Sequence, residues 1–321
     1  MHIMLTPVEL SKALGGITVN GVYKSLERAN INLIKTKTGR KRIPHLELRK
    51  FLINKGYKYP KLNISFQIVK GGVGKTSISY ALANRASHYG AKILVVDLDQ
   101  QGNLTRSFDI EARKYPVLLD VIRDNVDIKK SIINISDTLD LLPSNLNNSR
   151  LDVELIQTTN NVSTLLRKLL IPIRDSYDLV IFDCPPAINK INFSASCASD
   201  LIIIPLNPDP YSIDGLELTL SELKKIKKEF GANFDYKILL NRYDGRERLG
   251  AYYMRDLIKD EEKLKHIMPV VIRVDTSLKN AIFEAKSIFE LKQKSVVKED
   301  IEQLTLEILG INKWRNNFIR D

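Results

Sequence analysis

Residues 70–77 read Lys-Gly-Gly-Val-Gly-Lys-Thr-Ser. Gly71, Gly72 and Gly74 carry no side chain, so backbone N–H groups there can approach an anion closely. The stretch follows an apolar run, Leu62–Val69, and leads into a helical pattern. A glycine turn feeding a helix N-terminus suits phosphate oxygens, because unpaired N–H groups and the helix dipole point at the ligand. In that arrangement Lys75 reaches the β- and γ-phosphates of a nucleotide, Thr76 ligates Mg²⁺, and Val73 and Ser77 complete the contacting stretch. The alternative is a glycine turn without ligand, which the strand–turn–helix order disfavours.

Two further apolar runs end in carboxylates. Lys92–Val96 leads into Asp97-Leu98-Asp99, and Asp178–Phe182 leads into Asp183. Carboxylates at the C-terminal ends of parallel strands lie at the same sheet edge as the glycine turn. One such group could merely cap a strand, but three beside a phosphate cradle favour metal and water chemistry. Asp183 is then placed to hold Mg²⁺ through water. Leu201–Leu206 and Tyr236–Asn241 continue the strand pattern, and Asn241 opens a segment where a base-recognition loop would lie, making it the candidate for base recognition.

Positioning these groups requires strands alternating with amphipathic helices, hence an α/β fold with a mostly parallel sheet and helices on both faces. The 321 residues suggest about two domains. Charge divides them: residues 1–62 hold 13 basic and three acidic side chains, a charge of +10, and the rest holds 36 basic and 35 acidic, or +1. Thr6-Pro7-Val8-Glu9 predicts a capped helix with Leu5, Val8, Leu10 and Leu14 as its apolar stripe. A second helix is expected over residues 18–29, turning Asn20, Lys24 and Arg28 outward. Two short strands around a basic turn follow (Lys37, Arg40, Lys41, Arg42), then a helix carrying Leu46, Leu48, Phe51 and Leu52. This pattern predicts a winged helix-turn-helix domain over 1–60 that binds DNA, with a small helical domain and a solvated basic face as the bland alternative. So small a module is expected to lean on a partner copy or on the body. Gly56–Lys61 has linker chemistry, so the second domain is expected over 61–321.

The runs KGGVGKTS, DLDQQGN, VIFDCPP, IIIPLNPDPYSIDGL and LLNRYDGRERLG resemble the ParA/MinD family of deviant Walker A (P-loop) ATPases, and most closely the ParA proteins that partition plasmids and chromosomes. The 1–60 stretch resembles the MerR-like winged modules that precede some of them. The resemblance implies ATP and Mg²⁺ as cofactors and a homodimer that sandwiches ATP. It implies that Lys70 reaches the partner subunit's phosphates, that Asp99 positions the attacking water, and that Asp97 and Asp183 lie in the second shell of Mg²⁺. It further implies nonspecific DNA binding by the ATP dimer, with Arg246 and Arg248 as contacts and Lys279 as substitute for an arginine the family often has at the place of Ser277. For Lys279 an ordinary surface charge is as good a reading. The partner implied is a ParB-like centromere-binding protein. Gln100 stands where the family usually has proline, and Ile68 where it often has asparagine.

The composition, 44% apolar and 27% charged, is that of a globular chain. Cys184 and Cys197 are too few for a disulfide framework and read as buried residues. No run is long enough to span a bilayer, and a cytoplasmic, nucleoid-associated protein is expected. The tail from Ile311, with Trp314, Phe318 and Ile319, is expected to finish the last helix against the body, making membrane contact the lesser reading. The acid-rich stretch Asp256–Glu262 reads as one solvated helix. Three functions remain: DNA segregation with autorepression of the operon, an ATP-regulated repressor without cargo, and a membrane-positioning ATPase.

Overall fold

The computed structural model describes residues 4–36, 39–158 and 161–318. The chain opens with helix α1 (Pro7–Leu14), helix α2 (Val19–Arg28), an antiparallel pair β1 (Ile34–Lys35) and β2 (Lys41–Arg42), and helix α3 (His45–Asn54). Thr6 caps α1 with Glu9 completing the reciprocal box, and Thr18 accepts from the Gly21 N–H at the start of α2. Leu10, Leu14, Val22, Leu26, Leu48, Phe51 and Leu52 are buried together. Val8 and Leu46, expected on the apolar stripes, are exposed instead. The inward faces are completed instead by Pro7 and Ala13 of α1 and by His45 of α3, which are buried.

The body follows as β3 (Leu62–Phe66), helix α4 (Lys75–His88), β4 (Ile93–Asp97), β5 (Ile133–Ser136), β6 (Leu139–Leu142), β7 (Leu179–Asp183), β8 (Leu201–Leu206), β9 (Asp235–Tyr243) and β10 (Ile267–Arg273), with helices between most of them. The sheet order is β10-β9-β8-β3-β7-β4-β6-β5, all parallel except the edge pair β5–β6. Alternate residues of the central strands enter different cores: Ile93, Val95, Leu179 and Ile181 join one, and Leu94, Val96, Val180 and Phe182 another. Both faces are therefore covered, which is why these strands are unbroken apolar runs. The stretch Asp256–Glu262 is not one helix. A helix over Arg248–Lys259 ends and another begins at Asp260, whose carboxylate accepts from the N–H groups of Glu262 and Lys263.

The segment expected to be a linker is packed. The Tyr57 hydroxyl donates to the Leu309 carbonyl at 2.5 Å and the Tyr59 hydroxyl to the Tyr89 carbonyl at 2.7 Å. Aromatic rings with one polar atom find apolar cover and a single acceptor here, which a free linker would not supply. One apolar cluster runs without a break from Leu5 in the module to Ile311, so the module leans on the body, one of the two supports expected for it. The last helix (Ile311–Phe318) docks on the module as well as the body. Trp314 packs at a tilt against Tyr57, ring centroids 5.0 Å apart, and Arg315 donates to the Ala13 carbonyl.

The junction also holds charges. Arg85, near the C-terminal end of α4, is 2% exposed. It pairs with Glu302 of the body and with Glu9 of the module at 3.3 Å, and its guanidinium lies 4.0 Å over the Phe289 ring. Burial opposes the charge, and Glu302 and Glu9 more than offset it, raising the Arg85 pKa. Arg49 of α3 pairs with Asp178 at 2.5 Å and donates to the Gly90 carbonyl at 2.9 Å. Gly90 has φ +79°, and a Cβ there would stand 2.7 Å from the His45 carbonyl oxygen, so only glycine lets α3 come this close.

Removing Arg85 takes the buried cation away from Glu302 and Glu9, which keep only their hydrogen bonds and, for Glu9, Arg42. Arg85→Ala is expected to cost about 3 kcal/mol, the scale of a broken buried ion pair, measured by urea unfolding of the full chain. Module and body are expected to unfold in one transition; a separate early transition for the module would contradict the shared core.

Candidate nucleotide site

The glycine turn joins β3 to α4 at the C-terminal edge of the sheet. Gly74 caps α4 with φ +93°, and a Cβ on it would meet the Asn241 amide nitrogen at 2.5 Å. Gly71 and Gly72 are exposed, and no atom outside the turn lies within 4 Å of where a Gly72 Cβ would stand. The turn is therefore an open cradle of backbone backed by side chains. Val73 is buried beneath it, and Thr76 and Ser77 begin α4, half-buried.

Lys75 is 6% exposed, and its ammonium donates to the Lys70 carbonyl at 3.1 Å and the Ile68 carbonyl at 3.4 Å. Burial lowers its pKa, and the neighbouring Asp183 works against that. An ammonium folded onto its own loop is stored beside the cradle, ready for an anion. Lys70 points elsewhere. Its Nζ is 2.6 Å from Asp209, donates to the Ser212 hydroxyl at 3.3 Å, and lies 5.3 Å from the centre of the Tyr211 ring.

The parallel register aligns Asp183 with both Phe66 of β3 and Asp97 of β4. The two carboxylates thus end adjacent strands beside the cradle, and both are completely buried. Asp97 is fully engaged: it accepts from the Asp99 N–H at 3.1 Å, the Thr105 N–H at 2.9 Å and the Thr105 hydroxyl at 2.7 Å. Thr105 in turn accepts from the Ser144 N–H. Asp97 therefore shapes the loop that carries Asp99, which is partly exposed and accepts from the Gln101 N–H. Gln100, the departure from the family pattern, is exposed at the turn of this loop. Asp183 is the opposite case. The Thr76 hydroxyl is close enough to favour its ionised form, yet among the described residues neither oxygen has a hydrogen bond of ordinary geometry.

A buried, unpartnered carboxylate is costly unless something else completes it. Burial, and then the Asp97 charge beside it, push the Asp183 pKa up, and burial pushes Asp97 up despite the Thr105 bonds. A hydrated Mg²⁺ fits this donor set, since it takes oxygen ligands, keeps several waters and is commonly held through phosphates plus one or two protein groups. Thr76 and Asp183 would hold it, with Asp97 behind them.

Asn241, near the end of β9, is buried, and its amide donates to the Val73 carbonyl at 2.7 Å. It supports the cradle from below in addition to any contact with a base. Of the expected DNA contacts, Asn20, Lys24, Arg28, Arg40 and Lys41 are exposed. Lys41 lies 5.1 Å over the Tyr23 ring, which brings the hairpin to the outer face of α2. Lys37 lies outside the described residues. Arg42 differs from the expectation: it donates to the Met4 carbonyl at 2.6 Å and pairs with Glu9 at 3.5 Å, bracing the module. Arg246 is exposed but held by both oxygens of Asp244. Arg248 and Lys279 are exposed, and Ser277 is buried, where it accepts from Gln293.

Three residues of the site escaped the sequence reading. Asp209 and Ser212 hold Lys70, and the signal was Asp209-Pro210 opening the helix Pro210–Phe230, a capping pattern. Thr105 had none, because the loop that returns it to Asp97 has no periodicity.

A carboxyl pKa raised on folding means the native state holds protons that the unfolded chain has released. The apo protein is therefore expected to lose stability as pH climbs above the ordinary carboxylate range. A cation must displace the same proton. Mg²⁺–ATP binding near pH 7, measured calorimetrically in buffers of different ionisation enthalpy, is expected to release protons, and Asp183→Asn is expected to reduce that release.

A family model described as an AAA domain matches residues 62–238, more than half of the chain. The sporulation initiation inhibitor protein Soj of Bacillus subtilis is 30% identical over 213 residues, which is 64% of this chain and 83% of Soj. The virulence plasmid ParA family protein pGP5-D of Chlamydia psittaci is 30% identical over 251 residues, 76% of this chain and 93% of that protein. Among solved structures, apo McdA of Cyanothece is similar with a TM-score of 0.69 at 25% identity, over 77% of this chain and 99% of McdA. With the phosphate cradle, the paired strand-end carboxylates and these relatives in agreement, the chain belongs to the ParA family of P-loop ATPases.

Proposed function

We propose that this ATPase is Mg²⁺-dependent, dimerises around ATP, binds DNA and drives segregation of a plasmid or chromosome. Its partner in this reading is a ParB-like centromere-binding protein that stimulates a slow basal hydrolysis. The observation that carries it is the separation of two lysines at one edge: Lys75 stored against its own loop, and Lys70 held on the half-buried Asp209 outside it. Lys75, Thr76 and the backbone of residues 71–77 bind the phosphates. Asp99 orients water for in-line attack on the γ-phosphate, and Asn241 contacts adenine. Mg²⁺, when bound, neutralises phosphate charge. Lys70 leaves Asp209 and reaches the partner subunit's phosphates, where its charge opposes what develops during transfer, as an arginine finger does.

The module over residues 1–60 is proposed to be a winged helix-turn-helix that binds the operator of its own operon. Asn20, Lys24 and Arg28 would enter a groove while Arg40 and Lys41, with Lys37, neutralise phosphates. Arg246, Arg248 and Lys279 are proposed as nonspecific contacts of the ATP dimer, and the protein would then associate with the nucleoid. An ATP-regulated repressor without cargo is the second reading, and one observation favours it: the module is bolted through Arg85 and Gly90 to the far end of the same helix that starts at Lys75.

Lys75→Ala is expected to abolish ATP turnover and plasmid retention while operator repression survives. Unchanged retention would favour the repressor reading. Lys70→Ala is expected to bind nucleotide normally and lose partner-stimulated turnover by on the order of a thousandfold, as when an arginine finger is removed.

A further inference from the structure

The break at Asp260 changes what the segment before it presents. Without Glu261 and Glu262, the helix Arg248–Lys259 carries three cations, Arg248, Arg255 and Lys259, against one acid, Asp256. Arg248, Tyr252, Arg255 and Lys259 are spaced by four, three and four residues, which sets them along one face. All four are exposed, Tyr252 by 62%. The opposite face is the one that packs: Leu257 is buried, Met254 joins its cluster, and Gly250 lies against Pro208.

These cations are not spent on neighbours. Arg246 is held by Asp244, and Lys263 by Glu217 and Asp260. Among the described residues, Arg248, Arg255 and Lys259 have no ion pair. Tyr253 meets Tyr252 edge-on at 5.5 Å and braces its ring. The stripe extends roughly 16 Å at about 1.5 Å per residue, long enough to follow several phosphates of one strand. Its centre is charged, and of the helix's apolar side chains Leu257 is buried and Met254 half-buried, leaving Ile258 exposed at its flank, too little apolar surface for a lipid face.

We infer that the exposed face of the helix Arg248–Lys259 is a docking stripe for the phosphate backbone of duplex DNA, with Arg255 and Lys259 as contacts and Tyr252 packing against sugar and phosphate between them. The inference rests on the DNA-binding reading above and extends it to residues that motif position does not reach. It also gives that surface a route to the nucleotide site. Pro208, on which Gly250 packs, immediately precedes Asp209, the acid that holds Lys70.

The test is binding of the full chain, with Mg²⁺–ATP, to a random-sequence duplex over a series of salt concentrations, read by fluorescence anisotropy. Arg255→Ala combined with Lys259→Ala is expected to lower the slope of log affinity against log salt by about 1.8 and to weaken binding by tens of fold at 0.1 M salt. Asp256→Asn, which removes the one acid within the helix, is expected to tighten binding. Basal ATP turnover is expected to be unchanged in both. If the wild-type chain does not bind the duplex, the DNA-binding reading itself fails. If it binds and the double variant binds with the same slope, this inference alone is overturned. Binding to phosphatidylserine vesicles that the double variant loses, with DNA binding unaffected, would assign the stripe to lipid and likewise overturn it.

Discussion

Parallel pairing of the three central strands β3, β7 and β4, in a register that aligns Phe66, Asp183 and Asp97, is the constraint on which this molecule is built. It delivers a glycine turn, a bare carboxylate and a hydrogen-bonded carboxylate to one edge without any of them being neighbours in the chain. The register is held by apolar alternation on two covered faces, so a one-residue slip would move every side chain to the wrong core. The chemistry at the edge is therefore paid for by packing well below it.

The same elements reach in the other direction. α4 starts at the phosphate cradle and ends at Arg85, and β7 ends at Asp183 and is preceded by Asp178. Arg85 meets Glu9, and Arg49 meets Asp178, so the small module grips the base of both elements whose tips make the site. Mostly buried charge pairs contribute little net stability, but they are strict about geometry. Together with the aromatic seam of Tyr57, Tyr59 and Trp314, they make the module part of the body. Its own core of a few leucines would not hold it alone.

The site was legible wherever backbone conformation and residue type coincide. Gly74 must be glycine, Lys75 and Thr76 must open a helix, and Asp97 and Asp183 must end apolar strands, so local pattern was enough. It was not enough for groups whose role depends on what the chain returns to. Thr105 satisfies Asp97 from an irregular loop, Asp209 captures Lys70 from more than a hundred residues away, and Arg42 turns inward although its neighbours Arg40 and Lys41 do not. The helix break at Asp260 shows the same limit, since a run of acids has no periodicity to say where its backbone stops.

The linear order of residues determined the α/β architecture and the strand–turn–helix that carries the glycine turn, because short-range patterning and strand periodicity are properties of the chain alone. It also located nearly all of the net charge in the first 62 residues. Tertiary structure decided what those charges and aromatics face. A basic side chain is the same letter whether it braces a carbonyl, as Arg42 does, neutralises buried acids, as Arg85 does, or stands free on a helix, as Arg255 does. The energetic difference lies in desolvation and in the partner's distance, and neither exists until the chain has folded.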